Sequence, residues 1–174
     1  MTPKRLSVGP LSEEFSADLR NLTVNARNNN LDPNGDVQKI EAPFTGETIS
    51  WVGKGSEDDV TEAFSVARRA QRSWVHVPFS ERKRIFLRFH DLLLRNRELV
   101  TDMIQLETGK NRPSAFDEVM DIANNARYYA NHAEKFMSPR SRRAAMPVLI
   151  KSREYRHPLG VVGQISPWNY PLSL

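Results

Sequence analysis

Cysteine is absent from this sequence of 174 residues. Its absence excludes a disulfide scaffold, a cysteine-based zinc site, an iron–sulfur cluster and a thiol nucleophile within these residues. No apolar run approaches the roughly 18 residues of a membrane span, and residues 1–10 lack the apolar stretch of a signal peptide. The sequence therefore predicts a cytoplasmic protein with no membrane partner.

The net charge of the sequence is small. The 25 Lys and Arg residues exceed the 21 Asp and Glu residues by four. Most of this excess is local, because residues 139–156 hold six basic side chains and one acidic side chain. Tyr155 is the only aromatic residue in that stretch, whereas single-strand binding uses several aromatic side chains. We therefore predict no nucleic-acid partner.

Motifs that bind phosphate or metal ions are also missing. No Gly-x-Gly-x-x-Gly occurs, and Gly109-Lys110 is followed by Asn111 instead of the Ser or Thr that a phosphate loop requires. Four histidines are scattered without ligand spacing: His76, His90, His132 and His157. The sequence predicts no metal site.

What the sequence does have is helical periodicity. Residues 12–30 show apolar side chains at spacings of three and four, which predicts an amphipathic helix. A second helix is predicted after the capping residue Ser56, and a third from Ser80. Asn96 is predicted to interrupt the third and to cap a further helix that ends at Gly109.

The clearest periodicity follows Pro113. Seven apolar residues alternate at spacings of four and three: Ala115, Val119, Ile122, Ala126, Tyr129, Ala133 and Phe136. A coiled coil would show this pattern, but the three small alanines favour packing inside a domain. Asp117, Glu118 and Asp121 are interpreted as the solvent-facing side of this helix.

Strand-like runs flank the helices. Two precede them, at residues 37–42 and 47–52, with a hairpin turn between. Residues 148–150 and 152–156 are predicted as strands in the basic stretch. The apolar, β-branched run at residues 159–165 is typical of a buried strand.

A stiff segment follows that last run, Ser-Pro-Trp-Asn-Tyr-Pro at residues 166–171. Its two prolines fix their own φ angles and restrict the residues before them. Ligands of open α/β sheets bind beyond the carboxyl ends of strands, where Trp168 would offer a flat surface and Asn169 a donor. The alternative is a proline-bounded turn with Trp168 in the core. The pattern alone leaves both open.

These residues, together with Pro-Leu-Gly-Val-Val-Gly at 158–163, resemble the segment that leads into the cofactor domain of the aldehyde dehydrogenase superfamily. The resemblance extends from Pro43 to Leu174 and is strongest to the bacterial succinate-semialdehyde dehydrogenases. Phe44 departs from the alanine usual in the family's Ala-Thr-Gly-Glu turn. The other matches, in chain order, are residues 45–47, 67–71, Trp74, Pro78, Arg82, and residues 107–110 and 128–130.

The resemblance implies an α/β fold in which a helical N-terminal region with short strands leads into the first strand of a Rossmann-like cofactor domain, truncated here. Residues 1–36 lie outside the resemblance, and their periodicity and turn residues predict an N-terminal helix and turn. Residues 37–138 would form the helical N-terminal part of the cofactor domain. Residues 139–157 would supply oligomerisation-type strands. Residues 158–174 would begin the NAD(P)-binding Rossmann-like fold without completing it.

The resemblance also implies a reaction. Such enzymes oxidise a small aldehyde to its acid with NAD(P) as cofactor. The resemblance favours succinate semialdehyde as the aldehyde. A cysteine thiolate adds to the carbonyl, hydride passes to the cofactor, and water activated by a glutamate hydrolyses the thioester. Asn169 matches the asparagine that donates to the oxyanion. The positions matching the family's cofactor site are Ile165, Ser166, Pro167, Trp168 and Asn169.

The family's cysteine and general-base glutamate match nothing in this sequence, since they lie further downstream in the family. The chain alone is therefore predicted to be inactive, and a complete enzyme is expected to be a homo-oligomer. A different class of function remains open: a non-catalytic helical module that uses its surface and the basic strand to bind a protein or nucleic acid.

Overall fold

The computed structural model of the chain describes residues 37–146 and 148–174. The helix predicted at residues 12–30 lies outside these residues. The chain divides into two compact units, Met1–Gln38 with Trp51–Lys54, and Lys39–Ser50 with Gly55–Leu174. All the helices described below belong to the second unit.

Four helices and four short strands are present in the described residues. They are β1 (Val37–Glu41), β2 (Thr48–Gly53), α1 (Glu57–Trp74), α2 (Phe79–Arg95), α3 (Arg97–Thr108), α4 (Arg112–Met137), β3 (Arg140–Arg142) and β4 (Ser152–Glu154). β1 pairs with β2, and β3 pairs with β4. The prediction of a helix-rich α/β chain with small sheets is confirmed. None of the helices in the described part of the chain is long and apolar enough to cross a bilayer.

Local sequence signals set most helix boundaries. Ser56 begins α1 with a reciprocal capping box, since its hydroxyl accepts from the Asp59 amide at 3.2 Å and the Asp59 carboxylate accepts from the Ser56 amide at 2.8 Å. The turn into α2 is held by Arg82. Its Nε donates to the Val77 carbonyl at 3.0 Å, and its guanidinium lies 5.2 Å from the Trp74 ring centroid.

Asn96 separates α2 from α3 as predicted, but it does not cap α3. Its side-chain amide donates instead to the Leu92 carbonyl at 2.8 Å, the same oxygen that accepts from the Asn96 backbone amide at 3.1 Å, so Asn96 closes the end of α2. Its backbone, with φ −101° and ψ 15°, is also not the extended conformation that a capping residue needs. The interruption is confirmed and the predicted cap is wrong.

The core forms where α4 packs against α2 and α3. Its buried members are Leu93, Ile104, Ala115, Val119 and Ala123, and the partly buried Leu172 packs against them. The alanines let the helices approach closely, as the spacing pattern predicts. Further along α4 the predicted apolar stripe reaches the surface, where Tyr129 is exposed.

Gly109 ends α3 in a left-handed conformation, with φ +76°, and its amide donates to the Gln105 carbonyl at 2.9 Å. A Cβ atom built there would lie 3.1 Å from Pro43 Cγ and 3.2 Å from Phe44 Cζ. The predicted stop at Gly109 is confirmed. Its lack of a side chain also lets the turn after β1 approach α3.

The effect of the close contact at Gly109 can be separated from the effect of its positive φ angle by comparison with Gly46. Gly46 also has a positive φ, +71°, but a Cβ atom there would meet nothing within 4 Å. We expect Gly46→Ala to cost about 1 kcal/mol of unfolding free energy from backbone strain alone. Gly109→Ala should cost about 2 kcal/mol because it adds a steric contact. Urea titrations of both variants would measure this, and equal losses would contradict the role assigned to the contact.

Two predicted strands are wrong. Residues 159–165 form no strand, and the side chain of Ile165 is 100% exposed. A strand is stabilised by hydrogen bonds to a neighbouring strand, and no strand of the described residues pairs with this run. At Gly163 the run instead passes α1, where a Cβ atom would lie 3.6 Å from Phe64 Cζ. Residues 148–150 lie in a turn, closed by the Ile150 amide donating to the Met146 carbonyl at 2.8 Å.

The β3–β4 pair lies within the basic stretch at residues 139–156. Arg140 stands opposite Glu154, and Arg142 opposite Ser152. Arg142 Nε donates to the Glu154 carboxylate at 2.6 Å, and this hydrogen bond lowers the pKa of Glu154 below its ordinary value. Arg156 bonds the same carboxylate at 2.8 Å and the Phe136 carbonyl at the end of α4 at 2.6 Å. The single acidic residue of the stretch therefore pairs with its arginines.

Candidate active-site segment

The five predicted site residues, 165–169, lie on one exposed segment at the end of the apolar run. Ile165, Ser166 and Pro167 have irregular backbone, and a turn begins at Trp168 and Asn169. The side chain of Trp168 is 87% exposed. The alternative with Trp168 in the core is therefore wrong, and the indole and the Asn169 amide are both accessible.

The segment folds back on itself. Ser166 Oγ donates to the Leu174 carbonyl at 2.5 Å, and Gln164 Nε2 donates to the same oxygen at 3.0 Å. The Leu174 amide in turn donates to the Tyr170 carbonyl at 3.1 Å. These bonds close a loop around Trp168 and Asn169.

A buried carboxylate anchors this loop to the helices. Glu118 of α4 is only 3% exposed, and its Oε1 accepts from the Leu172 amide at 2.8 Å and from the Ser173 amide at 3.2 Å. The interpretation of Glu118 as solvent-facing is wrong. The spacing could have shown this, because Glu118 lies three residues after Ala115 and four before Ile122, on the apolar side of the helix.

Lys110 completes the anchor. Its Nζ donates to Glu118 Oε2 at 2.5 Å and lies 4.0 Å from the centroid of the Tyr170 ring, within cation–π distance. The Lys110 side chain is itself largely buried, at 19% exposure, while that of Glu118 is fully buried. An ion pair so placed joins the α3–α4 turn, α4 and the segment that carries Asn169.

The turn that carries Lys110 is braced from its other side. Asn111 caps α4 by accepting from the Ser114 amide at 2.9 Å. Arg112 bonds the carboxylates of Asp102 and Glu98 on α3, and these bonds raise the pKa of its guanidinium above the ordinary value. The position of Lys110 is therefore fixed by its neighbours in the chain.

The exposed side chains of this segment differ in chemistry. Trp168 offers an indole face, Asn169 a free-standing amide donor, and Ile165 an apolar surface beside them. A pyrophosphate is usually held at helix N-termini that follow parallel strands, and the described residues contain no parallel strand pair.

In the described part of the chain, no group of three or more His, Asp or Glu side chains could hold a metal ion.

Comparison with known proteins identifies the protein family of the chain. The sequence profile of the aldehyde dehydrogenase family matches residues 31–174. The chain belongs to the aldehyde dehydrogenase family.

Two curated relatives show which members of the family the sequence is similar to. The chain is 46% identical over 135 residues to a Mycolicibacterium smegmatis protein named "Putative succinate-semialdehyde dehydrogenase" with NADP(+) as its named cofactor; the match covers 78% of this chain and 26% of that one. A Mycobacterium ulcerans protein of the same description is 42% identical over 138 residues, covering 79% and 27%.

Among solved structures, an NAD-dependent benzaldehyde dehydrogenase from Corynebacterium glutamicum superposes with a TM-score of 0.71 at 30% identity. The match covers 79% of this chain and 30% of that one. This confirms the fold that the sequence resemblance implies. The chain spans about a quarter of the length of the curated relatives it matches.

Proposed function

We propose that the chain supplies the N-terminal part of an NAD(P)-dependent aldehyde dehydrogenase that oxidises a small aldehyde to its acid. The observation that carries the proposal is the exposed Trp168–Asn169 turn, which a buried ion pair fastens to the helices within the matched region. A binding site requires exposed polar groups on a fixed backbone. A loop that only links two secondary-structure elements requires neither the exposed groups nor the fixed backbone.

Asn169 is the residue to which we assign a catalytic role. When an aldehyde carbonyl is attacked, negative charge develops on its oxygen, and a preorganised amide N–H stabilises that charge more than it stabilises the ground state. The exposed Asn169 amide has the chemistry for this, and its neighbours Ile165, Ser166, Pro167 and Trp168 would line the cofactor. NAD(P)⁺, when bound, would accept the hydride.

Succinate semialdehyde is the substrate we favour. Support comes from the names of the two mycobacterial relatives at 46% and 42% identity. The solved relative named for benzaldehyde is less similar, at 30% identity. The residues at 139–157 would serve subunit assembly, since β3 and β4 form a two-strand ribbon with open edges.

The test requires a catalytic cysteine, which this chain lacks. We therefore define a chimera: this chain followed by the portion of the Mycolicibacterium smegmatis relative beyond the matched residues. With succinate semialdehyde and NADP⁺ the chimera should form reduced cofactor, measured by absorbance. The matched control is the chimera in which the nucleophilic cysteine that the family resemblance implies for the downstream portion is changed to serine. An inactive chimera beside an active parent relative would contradict the proposal.

A further inference from the structure

The Lys110–Glu118 pair is more than the core of this fold needs. Burying a carboxylate and an ammonium costs several kcal/mol per ion unless their bonds are well satisfied, and an apolar pair of similar volume is often as stable. Here both oxygens of the carboxylate are hydrogen-bonded: Oε2 accepts from the ammonium, and Oε1 accepts from two main-chain amides. Such an arrangement fixes the position of the backbone it binds.

The backbone that it binds is next to the proposed catalytic amide. Leu172 and Ser173, whose amides Glu118 holds, follow Asn169 by three and four residues. The ring of Tyr170, the immediate neighbour of Asn169, lies against the Lys110 ammonium at 4.0 Å. The pair therefore restrains the chain at Tyr170 and again at Leu172 and Ser173.

We propose that Glu118, held in place by Lys110, is a positioning residue that sets the location of the Asn169 amide in the aldehyde dehydrogenase reaction. This inference rests on the proposed function. An oxyanion donor must lie about 2.7–3.1 Å from the developing charge. A displacement of about 1 Å, even from a change distant from the reacting atoms, can reduce the rate about 10²-fold. A carboxylate that grips the backbone beyond Asn169 prevents that displacement.

Three variants separate positioning from stability. Glu118→Leu removes both the ion pair and the acceptor for the two amides. Glu118→Gln keeps a side-chain oxygen that can accept from Leu172 and Ser173, but loses the charge that faces Lys110. Asp117→Asn makes the same change as Glu118→Gln at the adjacent, exposed carboxylate of α4 and is the matched control.

The first measurement is hydrogen exchange by mass spectrometry on the chain itself, which does not depend on activity. Peptides that contain Leu172 and Ser173 should exchange at least about 10-fold faster in Glu118→Leu, because the two amides lose their acceptor. Glu118→Gln should retain much of the protection, and Asp117→Asn all of it. Peptides from the middle of α2 report whether the helices remain folded.

The second measurement is steady-state kinetics on the chimera. Glu118→Leu should lower kcat by about 10-fold or more with little change in KM for NADP⁺, and Glu118→Gln should recover part of that loss. A merely structural role predicts equal kcat per folded molecule in all variants.

The outcomes distinguish this inference from the function on which it rests. An inactive parent chimera would overturn the proposed function, and with it the catalytic part of the inference. In an active chimera, unchanged exchange in Glu118→Leu would overturn the positioning role alone. Faster exchange with unchanged kcat would overturn it as well, since the restraint would then have no effect on the reaction.

Discussion

Replacing Asn169 with alanine in the chimera is expected to lower kcat by about 10²–10³-fold, the usual cost of removing one oxyanion donor. The affinity for NADP⁺ should change little, because the amide is required where charge develops on the substrate oxygen. Steady-state kinetics with varied aldehyde, together with a cofactor titration, would measure both quantities.

Trp168→Ala is the matched control at the adjacent position. Its indole is exposed and is assigned to the cofactor side, so the variant should weaken NADP⁺ binding first and leave kcat at saturating cofactor closer to that of the parent. The two neighbouring substitutions should therefore affect opposite parameters. Near-normal turnover with weak cofactor binding in Asn169→Ala would remove Asn169 from the catalytic role.

The chain by itself is expected to oxidise no aldehyde and to bind NAD(P)⁺ very weakly. With no cysteine in the sequence, no thiolate can form the covalent adduct, and refolding cannot restore a missing nucleophile. Cofactor binding should be weak because one exposed flank, without helix N-termini after parallel strands, cannot hold the pyrophosphate. Tryptophan-quench titration with NAD⁺ and an aldehyde oxidation assay would test both statements.

The same chain should also self-associate. Its apolar run at residues 159–165 carries exposed Leu159, Val162 and Ile165 side chains and backbone without a paired strand. Such segments favour association through edge pairing. Size-exclusion chromatography should show species larger than the monomer, and Val162→Lys should reduce them. A monodisperse monomer that binds cofactor tightly would contradict this expectation.

The parts of the fold that the sequence predicted are those governed by neighbouring residues. The capping box at Ser56, the stop at Gly109 and the first half of the apolar stripe along α4 each depend on side chains within a few positions. The β1–β2 turn is similar, since the Gly46 amide donates to the Ala42 carbonyl at 2.8 Å. Local hydrogen bonds of this kind are encoded directly in short motifs.

The errors arise where the outcome depends on distant residues. Residues 159–165 have the composition of a buried strand, but composition does not provide a partner strand. Glu118 was predicted to face solvent because carboxylates usually do, whereas its partners, Lys110, Leu172 and Ser173, lie up to 55 positions away along the chain. Only the apolar spacing around Glu118 indicated burial. Asn169 was identified through the family motif, and its anchor became visible only in the structure.

The most direct measurement is a crystal structure of the chimera soaked with succinate semialdehyde in the absence of NADP⁺, so that the adduct on the cysteine has no hydride acceptor and accumulates. The side-chain nitrogen of Asn169 should lie about 2.7–3.1 Å from the adduct oxygen, with the Leu172 and Ser173 amides still bonded to Glu118. An adduct oxygen bound by other donors, with the Asn169 amide beyond hydrogen-bonding distance, would contradict the role assigned to this segment.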